Sequence, residues 1–139
     1  MTIASILRRH GSRPNTVPPT ASIAEVARTL AERRAGAVLV ADHEPARREQ
    51  VLGIVSERDI VRSLASVGAA TLEMTAGQLM TRALRTASPE TTLDEALRLM
   101  TAGRFRHLPV FDHGGLTGLV SLSDVAEARA REGIASLAA

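Results

Sequence analysis

The chain repeats itself, and that duplication constrains its fold more than any other feature. Thr16-Val17-Pro18-Pro19-Thr20-Ala21-Ser22-Ile23-Ala24-Glu25 is answered 70 residues later by Thr86-Ala87-Ser88-Pro89-Glu90-Thr91-Thr92-Leu93-Asp94-Glu95. The register runs on through Leu30 and Met100, Val40 and Val110, and Asp42 and Asp112. Gly53-Ile54-Val55-Ser56-Glu57-Arg58-Asp59 then matches Gly118-Leu119-Val120-Ser121-Leu122-Ser123-Asp124 at a spacing of 65, so the copies differ in length at one intervening loop. Two copies of one unit predict a pseudo-twofold body in which a polar group needed by one copy recurs in the other.

Each copy reads as the same series of elements. A short extended segment held by Pro18-Pro19 or Pro89 leads into a helix whose start carries capping-box spacing, Ser22 with Glu25 and Thr92 with Glu95. Apolar residues then recur at i, i+3, i+4, i+7: Ile23, Val26, Ala27, Leu30 and Leu93, Ala96, Leu97, Met100. That spacing buries one face of each helix. Gly36 and Gly103 stand near the helix ends, at positions that do not correspond. Two short aliphatic strands follow in each copy, Ala37–Val40 with Leu52–Val55 and Leu108–Phe111 with Thr117–Val120. Their continuous apolar character predicts burial on both faces. The joins differ: His113-Gly114-Gly115 is a compact turn, whereas the 43–50 segment reads as a longer polar surface loop. A second helix closes each copy, from about Glu57 to Val67 and from about Leu122 to Arg131. Between the copies, Gly68 to Thr81 reads as a linker with a helical turn ending Gln78-Leu79-Met80, which is similar to Ser5-Ile6-Leu7 and implies a duplicated leader. The expected organisation is a pair over 4–132, with copy one at 4–68, a linker at 69–77, copy two at 78–132 and a tail at 133–139.

At 139 residues and 45% hydrophobic content, the chain suffices for one ordinary core and leaves no room for a second, catalytic domain. With two Phe and no Trp or Tyr it has almost no platform for stacking bases. All 17 basic residues are Arg, against 15 acids, so the formal charge is only +2. Their interspersion makes no continuous basic stripe, which argues against nucleic acid. The lack of Lys excludes Schiff-base chemistry and a P-loop lysine. The lack of Cys excludes thiolate catalysis and agrees with a reducing, cytoplasmic setting. The first nine residues are too short and too interrupted for a signal peptide or a membrane span.

The duplicated polar signature is Gly-h-h-Ser-x-x-Asp, with h aliphatic: Gly53 to Asp59 and Gly118 to Asp124. A serine that ends a strand and opens a helix directs its hydroxyl and the following free N–H groups where an anion is favoured. An Asp three residues on has two oxygens able to accept from a vicinal diol such as that of ribose. The same spacing is also a capping box with Asp in place of Glu. Asp recurs in both copies while the other two helices use Glu, which favours a ligand role. Asp42-His43 and Asp112-His113 also recur, but an Asp-His pair after a strand is an ordinary turn pair, and no metal is expected.

On these residues the chain resembles a pair of cystathionine-β-synthase (CBS) domains, a Bateman module, over about residues 4 to 132. The carriers are Thr16-Val17-Pro18-Pro19, the two Gly-h-h-Ser-x-x-Asp runs and Arg104-Phe105-Arg106-His107-Leu108-Pro109-Val110. The resemblance implies an α+β fold: tandem β-α-β-β-α repeats packed as a pseudo-twofold pair, with two related clefts for adenosine compounds such as AMP, ADP, ATP, NAD or S-adenosylmethionine. It puts Asp59 and Asp124 on ribose hydroxyls, and Ser56 and Ser121 on phosphate or ribose. The segments Thr16-Val17-Pro18 and Thr86-Ala87-Ser88 would meet the adenine edge through the backbone. Val38, Ile54, Leu108 and Leu119 would sandwich the purine, and Pro109 is counted with them.

The copies differ where phosphate would sit: Arg106-His107 corresponds to Gly36-Ala37, and Arg58 to Ser123. Arginine reads phosphate bidentately, so a cleft that recruits Arg58, Arg106 and His107 is expected to prefer charged nucleotides. The resulting expectation is a non-enzymatic adenine-nucleotide sensor, forming a homodimer and acting by population shift on a regulated protein in trans. The rivals are a nucleic-acid-binding protein, motivated by the Arg pairs, and a hydrolase using Asp59 or Asp124 to activate water.

Overall fold

The computed structural model describes residues 1–10, 14–42 and 47–138, with side chains at 10 and 135–138 excepted. His43, the first part of the 43–50 loop and the last residue of the tail lie outside the described residues. In chain order the elements are α1 (Ile3–His10), β1 (Thr16–Val17), α2 (Ile23–Arg33), β2 (Ala37–Ala41), β3 (Val51–Ser56), α3 (Glu57–Val67), α4 (Ala76–Leu79), α5 (Leu93–Gly103), β4 (His107–Asp112), β5 (Gly115–Ser121) and α6 (Leu122–Ala138). Short 3-10 turns occupy Arg48–Gln50 and Gly68–Glu73. The chain divides into two compact units, Pro14–Leu84 and Met1–Arg13 with Arg85–Ala139.

The two units repeat one architecture. In the first, β1 runs parallel to β2 and β3 antiparallel to it, in the order β1-β2-β3. In the second, β4 and β5 pair antiparallel, and Ala87 makes a parallel bridge to Val110 where Val17 pairs with Val40 in the first. Each unit has its own core, built on Ile23, Val26 and Leu30 in one and on Leu93, Ala96 and Met100 in the other. These are the helical stripes read from the sequence. Burial on both faces holds for β2 and the middle of β4, whereas β3 alternates buried and half-buried residues. β3 and β5 are the outer strands, with one face less covered. The last helix continues to Ala138, beyond the expected end near Arg131, because only Gly133 interrupts an Ala-rich helical run that it does not break.

Helix starts follow the predicted caps. Thr92 and Glu95 close a full capping box, with Glu95 N–H donating to Thr92 Oγ1 at 3.1 Å and Thr92 N–H to Glu95 Oε2 at 3.4 Å. In the first copy only the Ser22 half forms, Glu25 N–H to Ser22 Oγ at 3.2 Å. The helix ends depart from the glycine expectation: the left-handed caps are Arg34 (φ 52°) and Arg104 (φ 57°), which do correspond between copies. The next amides return to the helix, Ala35 N–H to the Leu30 carbonyl and Phe105 N–H to that of Met100, each at 3.0 Å. Gly103 instead ends its helix where an added Cβ would lie 2.3 Å from the Phe105 ring. Left-handed backbone costs a residue with a Cβ roughly 1 kcal/mol or more, partly offset on substitution by glycine's freedom in the unfolded chain. Arg34→Gly and Arg104→Gly are therefore expected to raise Tm by about 1–3 °C each, measured by calorimetry. A fall in both variants would refute the strain.

The leaders are exchanged. Met1-Thr2-Ile3 aligns with Met74-Thr75-Ala76, and the two segments make the same bonds to opposite copies. Ile3 N–H donates to the Thr91 carbonyl at 2.9 Å, and Ala76 N–H to that of Ala21 at 2.8 Å. Ala4 and Gly77 likewise donate to Pro89 and Pro19, each at 2.9 Å. Leu7 then covers Gly118 while Met80 covers Gly53. The contacts thus cut the chain differently from the sequence-ordered copies at 4–68 and 78–132: α1 belongs with 85–139, and the 69–77 linker with the first copy. Each strand glycine leaves a slot that either leader could fill, and packing decides which one enters.

Candidate functional site

The two Gly-h-h-Ser-x-x-Asp runs share one backbone arrangement. The strand ends at the serine, and the next residue's amide donates across to the neighbouring strand's entry: Glu57 N–H to the Gly36 carbonyl at 2.9 Å, and Leu122 N–H to that of Arg106 at 2.7 Å. This equates Gly36 with Arg106, as the repeat register requires. Ser56 N–H and Ser56 Oγ–H both donate to Asp59 Oδ2 at 2.9 Å, while Asp59 N–H donates to Ser56 Oγ at 3.2 Å. In the other unit Ser121 N–H donates to Asp124 Oδ2 at 2.8 Å, and Asp124 N–H to Ser121 Oγ at 3.1 Å.

Both runs are therefore capping boxes. The shorter Asp arm closes the box as Glu does elsewhere, and it fixes each half-buried carboxylate at a helix start. Those bonds land on one oxygen, Oδ2, which orients the second. The hydroxyls differ: Ser121 Oγ pairs with Ser123 Oγ at 3.0 Å, whereas position 58 carries the exposed Arg58.

The other sequence-singled residues fall in several settings. Thr16, Pro18, Thr86 and Ser88 are at least partly exposed on the extended segments, while Val17 and Ala87 are buried there. Val38 and Leu108 are 0% exposed within the unit cores, so their side chains are not on a ligand-facing surface. The sandwiching role expected of them would have to be met by side chains that these cores enclose. Ile54 and Leu119 are half-buried on the opposite strand face, and Pro109 shares the Leu119 register position. His107 is the register partner of Ser121, so Arg106 and His107 stand at the Asp124 end, whereas Arg58 stands at the Asp59 end. Arg58, Arg106 and His107 do not belong to one unit.

A cavity of about 250 Å³ abuts Asp124, lined also by Ser5, Ile6, Arg9, Glu127 and Arg131. Sequence reasoning missed it because α1 was assigned to the first copy. The i, i+3, i+7 spacing of Asp124, Glu127 and Arg131 was the available signal. In the other unit the 3-10 turn lies against α3, with Thr71 fully buried and hydrogen-bonded to Ser63 at 2.7 Å. His113 lies 3.4 Å from Asp112 and takes the first position of a two-residue turn with φ 53°. Among the described residues no group of three or more His, Asp or Glu could hold a metal ion. Among them, too, no helix is long and apolar enough to cross a membrane.

A duplicated α+β unit with a Ser-x-x-Asp helix start at each strand end defines a tandem-repeat module of the Bateman type. The chain belongs to the CBS domain family, whose model matches residues 3–66 and 76–131. It is 32% identical over 113 residues to the mitochondrial CBS domain-containing protein CBSX3 of Arabidopsis thaliana, covering 80% of this chain and 54% of that one. It therefore spans about half the length of that relative. Among solved structures, the CBS-domain containing protein ATU1752 of Agrobacterium tumefaciens superposes with a TM-score of 0.85 at 40% identity, covering 93% of this chain and 99% of that one. CBSX2 in complex with AMP superposes with a TM-score of 0.70 at 25% identity, covering 95% and 98%.

Proposed function

We propose that the chain is a non-catalytic regulatory module that binds an adenosine nucleotide (AMP, ADP, ATP or NAD) at the Ser56/Asp59 and Ser121/Asp124 helix starts. Ligand occupancy shifts its conformational population and is read by a partner protein in trans; the working form is a homodimer. The observation that carries this reading is the duplicated carboxylate, held at each helix start by the amide of the strand-end serine. A carboxylate so held is an acceptor of fixed direction for a diol, and charge-assisted bonds of this kind are the strong ones. The AMP complex of the related CBSX2 supports the ligand class. Aliphatic Ile54 and Leu119 suit the faces of a purine in a chain lacking Trp and Tyr. Arg106 and His107 stand at the Asp124 motif, where the other copy has Gly36 and Ala37, so phosphate-bearing ligands favour the Asp124 end.

The sparse aromatic content makes the test direct. Pure protein with two Phe and no Trp or Tyr absorbs little at about 260–280 nm. A 260 nm band of roughly nucleotide strength that leaves on denaturation and co-elutes with a nucleotide standard is the expected result. Calorimetry with AMP, ADP, ATP and NAD, each blank on protein freed of ligand, would overturn the proposal. ATP is expected to bind without turnover.

A further inference from the structure

The cavity beside Asp124 brings α1, the exchanged leader helix, against α6 within one compact unit. Ser5 and Arg9 line it from α1, one helical turn apart, and Asp124, Glu127 and Arg131 line it from α6. Glu127 and Arg131 form an ion pair with each other, which offsets both charges. Arg9 has no carboxylate partner among the described residues. The cavity thus joins the fixed Asp124 carboxylate at the start of α6 to an unpaired guanidinium on the last turn of α1, with Ile6 in the wall between α1 and α6. A pentose 5′-phosphate matches that pattern. Its diol needs an acceptor, its ring carbons tolerate an apolar wall, and its phosphate needs a cation that donates in pairs. A volume of about 250 Å³ suits a sugar phosphate; it is below the roughly 300–1,000 Å³ of clefts that enclose a whole drug-sized ligand, so the base lies outside. Arg106 and His107 do not line this cavity, so Arg9 adds a cation to those already placed at the Asp124 end.

The second leader carries the same cation. In the register that sets Met1 on Met74, Arg9 falls on Arg82, whereas the neighbouring Arg8 falls on Thr81. In the register of the closing helices Arg131 falls on Ser66, so the recurrence is confined to the arginine without a partner. A group that each site requires recurs in a duplicated unit, and a merely solvated one need not. The settings of the two arginines then diverge. α4 stops at Leu79, and Thr81 N–H donates to the Ile54 carbonyl at 2.9 Å, so Arg82 leaves on extended chain. α1 runs on to His10 and carries Arg9 on its helix. A guanidinium on a helix loses less freedom on binding than one on an extended segment, which favours phosphate at the Asp124 end.

We propose that Arg9 binds the 5′-phosphate of the ligand whose ribose Asp124 holds, so that the leader helix α1 is one wall of the ligand site and is steadied by phosphorylated ligands. This deepens the nucleotide reading above and rests on it. Calorimetry on the full chain with AMP and with adenosine separates the phosphate from the nucleoside. Arg9→Ala is expected to weaken AMP binding by about 10-fold and to leave adenosine unchanged. Arg9→Lys is expected to recover part of the loss, because the charge stays while the paired donors go. Arg8→Ala, one position away and not in the cavity wall, is expected to leave both ligands unchanged. AMP, and not adenosine, is expected to slow amide exchange from Leu7 to His10. Equal losses of AMP and adenosine, or an unchanged AMP affinity with a lowered Tm, would reduce Arg9 to a cation at a helix C-terminus; either result overturns this proposal and leaves the nucleotide reading in place. A wild-type chain that binds neither ligand overturns both.

Discussion

Asp124→Ala is expected to weaken binding of a phosphate-bearing adenosine ligand by about 10- to 100-fold, the loss of charge-assisted hydrogen bonds to the ribose. Asp59→Ala is expected to lose less for the same ligand, because its end has Gly36 and Ala37 where the Asp124 end has Arg106 and His107. Calorimetry with AMP and ATP on both variants measures the difference, and equal losses would contradict the asymmetry. Each Asp also closes a capping box, so truncation alone costs about 1 kcal/mol of stability. Asp124→Asn separates the effects. The amide oxygen still accepts from Ser121 N–H, which preserves Tm, while the second acceptor oxygen and the charge are gone, which still costs affinity. A variant with wild-type affinity and lowered Tm would assign Asp124 to capping alone.

Gly53→Ala is expected to cost about 2–4 kcal/mol of stability, and Gly118→Ala about 1 kcal/mol. The positions correspond, yet an added Cβ meets different atoms. At Gly53 it would lie 2.8 Å from the Thr81 carbonyl oxygen, backbone that is itself fixed by Ile54 N–H at 3.1 Å. At Gly118 it would lie 2.4 Å from Leu7 Cδ2, a terminal methyl that a rotamer change can withdraw. Urea unfolding of both variants tests the order. A larger loss at Gly118 would mean that α1 is seated more rigidly than Leu7 suggests. Gly53→Ala is also expected to loosen the Met80–Thr81 segment, read as faster amide exchange at Thr81 and Ile54.

Much of this was legible in the chain. The spacing of Ile23, Val26 and Leu30, and of Leu93, Ala96 and Met100, identifies buried helix faces because helical period and burial are linked by geometry alone. The Ser56–Asp59 and Ser121–Asp124 contacts were legible because both groups lie within one helical turn, where local sequence fixes the contact. The left-handed ends at Arg34 and Arg104 were not visible. Glycine is the usual signal there, and arginine gives none. The full burial of Val38 and Leu108 was not legible for a different reason: a run of aliphatic residues carries no mark of which alternate residues face the core.

The sequence by itself determined the repeat, its elements and the residue types at each Ser-x-x-Asp helix start, since these depend on periodicity and on bonds spanning three residues. Only the tertiary structure decided that α1 joins the second copy and α4 the first. It also decided that Arg106 and His107 stand with Asp124 while Arg58 stands with Asp59. Both leaders carry the same donors and a similar apolar residue, so no local signal distinguishes their slots. The choice is made by chain segments distant in sequence meeting at Gly53 and Gly118, a contact that exists only once each sheet has formed.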